Sequence, residues 1–423
     1  MRKIVYTEIE ERICVWITEI AEEPANEKEI SIMEKGQPPR LFQEFNVLQN
    51  RPPEVRYSID LGTVNLLDVD MRRTVDGLEN TAIMLVPPKG CGYRCDFCSI
   101  KDIANPDFPV ATEQGGVEAA ESVAREIDAF LQVHPEAQTL KLFNAGNILY
   151  GTERTRSGEL HEAFWPFLIG RLQKHETLKV LEIEVRIDEF IGSNKNRNGQ
   201  LTPKGVLRER ITALAAQLSK IGKSLRCILP LEYVESSIIS QQSKFAQVFA
   251  SEGKNKENCE QAISFIQQHG IELLSYAMLG GRLKDRPLSE EEAIASAAHT
   301  TLFGLEHGAR EVIINSQYLD PINLWEQERD SVKYYVPTER AMIGTLRLIV
   351  FGLDKISKVQ DRIPRVRLTT DKENVIEGTV GPDVSQEFRQ LILDFNNALE
   401  QAAFFQTEME HMRFTDEGKQ VIS

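Results

Sequence analysis

No apolar run in these 423 residues approaches the ~20 that a membrane-spanning helix needs. The N-terminus starts Met-Arg-Lys and turns acidic within ten residues, without the apolar core of a signal peptide, so a cytoplasmic, membrane-free protein is expected. Positive charge is in deficit: 49 basic against 64 acidic residues give a formal net charge of −15. No global field draws such a chain to a phosphate backbone, which disfavours a nucleic-acid partner. A local basic patch would readmit one, and only 51–56 and 195–210 qualify; both read more simply as solvated surface. Low-complexity tracts are missing, as are a Walker loop and a cobalamin-binding segment. Cysteine is sparse at six residues, too few and too unevenly placed for a disulfide framework.

What is present is enough for a real core, with 41% hydrophobic and 27% charged residues. From about residue 81 short apolar runs alternate with helix-period segments, the pattern of repeated β-α units. Strands are expected at Thr81–Val86, Thr139–Phe143, Leu178–Val185, Leu225–Glu232, Ile271–Leu279 and Val312–Asn315. Between them, Val117, Ala120, Val123, Ala124, Ile127, Phe130 and Leu131 recur at three and four, as do residues 207, 211, 214 and 218. Ser289-Glu-Glu-Glu-Ala293 reads as a helix start. Six units suit an α/β fold, a partial (β/α)6 barrel of parallel strands with function at their C-terminal ends. The division expected is an N-terminal extension over 1–80 in position to cap the barrel, a core over 81–335 and an α-rich extension over 336–423. The last holds helices near 338–350 and 385–405 and a short strand near 366–370.

Three of the six cysteines crowd into Cys91-Gly-Tyr-Arg-Cys95-Asp-Phe97-Cys98, directly after the first expected strand. Thiolates are the preferred ligands of iron–sulfur clusters, and three from one loop can hold three corners of a cubane. Gly90 and Gly92 let the backbone turn tightly enough to aim them together. Structural zinc takes four ligands, and the nearest histidine is His134.

The C-x3-C-x2-C triad, with aromatic Phe97 before its last cysteine and the first strand of a β-α barrel before it, resembles the radical S-adenosylmethionine (SAM) superfamily. The resemblance implies a [4Fe–4S] cluster on Cys91, Cys95 and Cys98 whose fourth iron chelates SAM. It also implies reductive cleavage of SAM to methionine and a 5′-deoxyadenosyl radical that abstracts hydrogen from a substrate. Asn144-Ala-Gly146-Asn147 occupies the place of the family's Gly-rich turn at the methionine amino group, although Asn and Gly equally favour an ordinary βα turn. Glu182, Glu184 and Arg186 share one strand face by period two. Arg186 is suited to fork onto the SAM carboxylate; a barrel-lining Glu184–Arg186 ion pair is the plainer alternative. Glu232, at the end of the fourth strand, is the candidate catalytic carboxylate. Tyr276, Met278, Asn315, Gln317 and Tyr318 are candidates to line an adenine or substrate pocket, or are barrel packing. Cys259, on a helix, reads as a buried thiol.

Asn144-Ala-Gly-Asn, Glu184-Val-Arg186, Leu231-Glu-Tyr-Val-Glu235 and Asn315 are similar to the Elongator-catalytic-subunit-like group, and within it to the radical SAM partners of archaeosine synthase, over about residues 80–350. The chain departs from that pattern where Ser-Gly-Ser and Glu-Ser-Arg-Pro are expected, and it has no cysteine beyond Cys259. The expected function is therefore radical SAM chemistry on a small organic metabolite or natural-product intermediate, with an electron donor such as flavodoxin or ferredoxin. Modification of a tRNA base and a non-catalytic iron–sulfur protein are the two alternatives.

Overall fold

The computed structural model describes residues 65–74, 76–86, 115–143, 148–149, 161–187, 190, 206–234, 256–283, 286–318, 334–360, 364–369, 382, 384–404, 412–414 and 420–422. A hairpin opens the fold: β1 (Asn65–Thr74) runs antiparallel to β2 (Gly77–Leu85). Its turn is closed by the Thr74 hydroxyl, which accepts from the Asp76 amide and donates to the Gly77 carbonyl, both at 3.2 Å. From β2 onward strands and helices alternate: α1 (Gly116–Val133), β3 (Thr139–Phe143), α2 (Phe164–Leu172), β4 (Val180–Glu184), α3 (Val206–Lys220), β5 (Ser224–Glu232) and α4 (Lys256–Gln268). They continue through β6 (Glu272–Leu279), α5 (Glu290–Glu306), β7 (Glu311–Ser316), α6 (Glu339–Gln360), β8 (Arg365–Thr369) and α7 (Gln386–Asn397). A separate two-stranded ribbon, β9 (Met412–Phe414) with β10 (Gln420–Ile422), follows.

The eight strands form one sheet in chain order, and β2 to β8 are parallel throughout. The α/β barrel-like class expected from the periodicity is the one found. Its six expected strands are β2 to β7, and β8 adds a seventh parallel strand by pairing with β7. Curvature shows in which side chains meet. Arg72 on β1 bonds Glu182 on β4, and Lys141 on β3 bonds Tyr276 on β6. Strands three apart in a flat sheet lie about 14 Å from one another, beyond such reach. The sheet is therefore rolled into a nearly closed barrel.

Two interiors result. The outer one is apolar, between the convex strand face and the helices: Leu140, Leu181, Ile183, Cys227 and Leu229 belong to one core cluster with the stripe of α1 formed by Ala120, Val123, Ala124, Ile127 and Leu131. Helix α5 is buried along Ala293–Glu306 and starts in a capping box, the Ser289 hydroxyl accepting from the Glu292 amide while Glu292 accepts from the Ser289 amide. The inner interior, on the concave face, is largely charged.

The barrel stops at β8 because its free edge is already paired. Strand residues alternate their amides between two sides, and Val366 and Leu368 face away from β7. The Val366 amide and carbonyl bond the Gln401 carboxamide at 2.9 and 2.5 Å; those of Leu368 bond the Asn396 carboxamide at 3.0 and 2.9 Å. Two side-chain amides thus imitate a neighbouring strand and leave no template for another chain. Arg365 donates to the Asn396 and Ala398 carbonyls, and α7 touches both β8 and β1. This anchoring breaks the helix expected over 385–405: Ala398 is extended at φ −60°, ψ 139°. Among the described residues no helix is long and apolar enough to cross a membrane.

Candidate functional site

Register sets a ladder of charges around the concave face. Lys141, Glu182, Arg226 and Glu272 are direct neighbours on β3, β4, β5 and β6, and Glu311 faces Arg365 across β7 and β8. With Arg72 and Glu79 of the hairpin they form a sealed layer in the half of the barrel nearer the strands' N-terminal ends. Arg226 donates to Glu79 at 2.9 and 3.2 Å and to Glu182 at 3.1 Å, and pairs with Glu272 at 3.0 Å. Arg72 binds both oxygens of Glu182 and reaches Glu79 at 3.2 Å. Glu182 is fully buried, which by itself pushes a carboxyl pKa up. The charges of Arg72, Arg226 and Lys141 more than reverse that, holding it down at about 2. Burial likewise opposes ionisation of Glu79, and the same two guanidiniums hold its pKa below the usual carboxylate range. Beneath this layer a depression of about 820 Å³ opens at the strands' N-terminal ends, with Arg226, Glu79 and Glu272 in its wall.

Toward the C-terminal ends a second polar group stands on the same face. The Lys141 ammonium donates to the Tyr276 hydroxyl at 2.8 Å, and that hydroxyl donates to Glu184 at 2.7 Å. Lys141 and Glu184 are 3.8 Å apart. Side-chain exposure rises from 0% at Glu182 through 8% at Lys141 to 31% at Glu184. The triad therefore leads out of the charged layer toward the C-terminal ends of the strands.

The mouth is shaped by two local irregularities. The β5–β6 register slips between Pro230 and Glu232, and Glu232 takes φ +55°, the left-handed region that a non-glycine residue rarely adopts. After β6, Gly280 and Gly281 have φ of +103° and +107°. A Cβ on Gly280 would come within 2.6 Å of the Tyr335 carbonyl, and one on Gly281 would strike the Tyr233 hydroxyl. Glycine is required at both because the Tyr233 hydroxyl donates to the Gly280 carbonyl, while Gly281 and Tyr335 exchange backbone hydrogen bonds at 2.8 Å. Burial pushes the Tyr233 hydroxyl well above its ordinary pKa, and the nearby Glu232 adds to the rise. Beside the turn, Gln317 is 1% exposed and its Oε1 has no hydrogen-bond partner among the described residues.

The structure thus brings Glu184 and Tyr276 into contact through a bond that the sequence reading did not foresee. Glu232, Arg186 and Asn315 sit at or just past the ends of β5, β4 and β7, at the same end of the barrel. Asn315 Oδ1 accepts from the Thr369 hydroxyl at 3.5 Å. Cys91, Cys95, Cys98, Phe97, Asn144, Gly146 and Asn147 lie outside the described residues. Among the described residues no three His, Cys, Asp or Glu side chains stand together so as to hold a metal ion. Cys259 is buried, as expected of a structural thiol. Lys141 is the residue that sequence reasoning missed. Its signal was a lysine at the centre of the apolar strand Thr139-Leu-Lys-Leu-Phe143, where only a partnered charge is tolerated.

No protein-family model matches the chain, and no curated protein matches it. Among solved structures it is similar to a radical SAM methyltransferase from Sphaerobacter thermophilus, at 14% identity over 80% of this chain and 84% of that one, with a TM-score of 0.39. Elp3 from the archaeon Methanocaldococcus infernus matches at 14% identity over 66% and 58%, with a TM-score of 0.38. An HMG-CoA lyase from Brucella melitensis matches at 10% identity over 68% and 90%, with a TM-score of 0.32. The chain spans less than two thirds of the length of several such structures, Elp3 among them.

Proposed function

We propose that this chain is a radical SAM enzyme acting on a small organic substrate at the C-terminal mouth of its barrel. The observation that carries the reading is topological. The Cys91, Cys95 and Cys98 triplet belongs to the connection from β2 to α1, which leaves the C-terminal end of the first parallel strand. Glu184, Arg186, Glu232, Tyr276 and Asn315 come from the same end of other strands. Loops and strand ends on that side are where barrels of this kind do their chemistry.

The donor set suits the cofactor pair. Three thiolates fit a [4Fe–4S] cluster and leave one iron for SAM. The bound pair supplies a 5′-deoxyadenosyl radical able to abstract a substrate hydrogen. The chain's own part is to bind and orient. The Arg186 guanidinium has the fork geometry for a carboxylate, Glu184 accepts from an ammonium or a ribose hydroxyl, and Asn315 and the Asn144-Ala-Gly146-Asn147 turn offer further polar contacts. Glu232, at the end of β5, is the candidate to accept a proton from substrate. The charged layer below fills the N-terminal half of the barrel interior.

A small substrate is favoured over a nucleic acid for a reason beyond the net charge of −15. Two arginines of the one long basic run are committed to the fold. Arg208 donates to the Phe190 carbonyl at 3.0 Å and lies over the Phe265 ring, and Arg210 donates to the Leu149 carbonyl at 2.6 Å.

The test is anaerobic reconstitution with iron and sulfide, addition of SAM and dithionite, and assay for 5′-deoxyadenosine beside a Cys91/Cys95/Cys98→Ala control. Formation that disappears in the control is expected. A loaded cluster that neither cleaves SAM nor changes its EPR spectrum when SAM is added overturns the reading in favour of a non-catalytic iron–sulfur protein.

A further inference from the structure

Lys141 lends its charge to the neutralisation of Glu182, but its hydrogen bond goes to the Tyr276 hydroxyl and not to that carboxylate. Glu182, the fully buried carboxylate of the layer below, already has two guanidiniums, Arg72 and Arg226, bonded to it. Lys141 and Glu184 form a long ion pair at 3.8 Å, and the shorter contacts between them run through the phenol of Tyr276, with hydrogen bonds of 2.8 and 2.7 Å. An ammonium donating to a hydroxyl occupies one lone pair and leaves the hydroxyl hydrogen to point elsewhere. Here it points at Glu184. Donation from a cation also polarises the phenol and strengthens its own donation onward. The three residues come from β3, β6 and β4, so the arrangement is made by the closure of the barrel, and its most exposed member lies toward the mouth.

We propose that Lys141 is a positioning residue of the site. By setting the direction in which Tyr276 donates, it holds the Glu184 carboxylate in one orientation for a ligand group that donates hydrogen bonds, an ammonium or a ribose hydroxyl. This rests on the preceding reading that the mouth binds SAM. A carboxylate pinned on one side before the ligand arrives loses less rotamer freedom on binding than one that must be ordered by it.

Calorimetric titration of the anaerobically reconstituted full-length protein with SAM tests the idea. Wild type is compared with Lys141→Met, Lys141→Arg, Tyr276→Phe and the Lys141→Met/Tyr276→Phe double variant. Losing one charge-assisted hydrogen bond should raise Kd about tenfold or more in each of Lys141→Met and Tyr276→Phe. The double variant should be no weaker than the singles, because the two residues act in series. Lys141→Arg, which keeps a cationic donor, should recover most of the affinity. Methionine and 5′-deoxyadenosine, titrated separately, tell the two ligand sources apart: the arm weakened by Tyr276→Phe carries the group that meets Glu184.

Single variants with wild-type Kd, additive losses in the double, or no loss in either fragment arm overturn the proposal. Tyr276→Phe removes a single oxygen, so it keeps the test decisive if Lys141→Met does not fold. A wild-type protein with a full cluster and no affinity for SAM overturns the proposed function itself, a result distinct from indifferent variants in a protein that binds.

Discussion

Glu182→Gln removes one charge from the centre of the sealed layer while keeping the shape of the side chain. Glu182 is 0% exposed and bonded by Arg72 and Arg226, themselves 5% and 2% exposed. Two guanidiniums would stay buried with one fewer counter-charge, and breaking a buried pair from one side costs about 3–5 kcal/mol. Proton linkage gives an independent figure. The carboxyl titrates at about 2 in the folded protein against the usual 4.5. At about 1.4 kcal/mol per pKa unit, that depression contributes roughly 3 kcal/mol. The two routes agree. Because the folded pKa is the lower one, this stability is fully present above the unfolded value of 4.5 and is lost as pH falls from there through about 2. Glu79, also depressed, adds to the same trend. Urea unfolding of wild type and variant at pH 7, 5 and 3 reads it directly. The gap should be about 3 kcal/mol at pH 7, hold at pH 5 and narrow at pH 3. A gap below about 1 kcal/mol at pH 7, or one that does not change between pH 5 and 3, refutes the reasoning.

Four further outcomes follow from the geometry. Gln401→Ala strips both partners from the Val366 backbone at the β8 edge and should cost about 2–4 kcal/mol at one or two unsatisfied groups, seen as a lowered urea midpoint; concentration-dependent association should accompany it, and an unchanged midpoint and oligomeric state would refute the strand-mimic role. Gly281→Ala meets both a φ of +107° and the Tyr233 hydroxyl, so it should destabilise by at least about 1–2 kcal/mol. Gly170→Ala, at an exposed position of helix α2 with nothing near its Cβ, should be neutral or stabilising by up to about 1 kcal/mol in the same melts. Ser289→Ala removes the capping box of α5 and should cost about 1 kcal/mol, with far-UV circular dichroism otherwise unchanged.

Much of this architecture is legible in the chain because its causes are local. The recurrence of Ala120, Val123, Ala124, Ile127 and Leu131 follows from 3.6 residues per turn, and all five are buried on α1. The capping box is written in Ser289 and Glu292, three residues apart. Strand ends punctuated by Gly280-Gly281 mark where the chain must turn, and the positive φ at both bears this out. Glu184 and Tyr276 were recognisable as polar residues late in their strands, where a barrel keeps its mouth.

The sequence by itself determined the β-α alternation, the helix stripes and caps, and the C-x3-C-x2-C triplet on the connection after the first parallel strand. Only the tertiary structure decided what the charged strand residues are for. The apolar strand around Lys141 says that its charge needs a partner but not which one, and nothing local pairs Arg72 with a carboxylate 110 residues away. Those partnerships depend on strand register and on the curvature that brings β1 to β4 and β3 to β6, quantities set by the packing of all eight strands and their helices together. The same holds at the β8 edge, where Asn396 and Gln401 look like ordinary helix amides until the fold lays them along Val366 and Leu368.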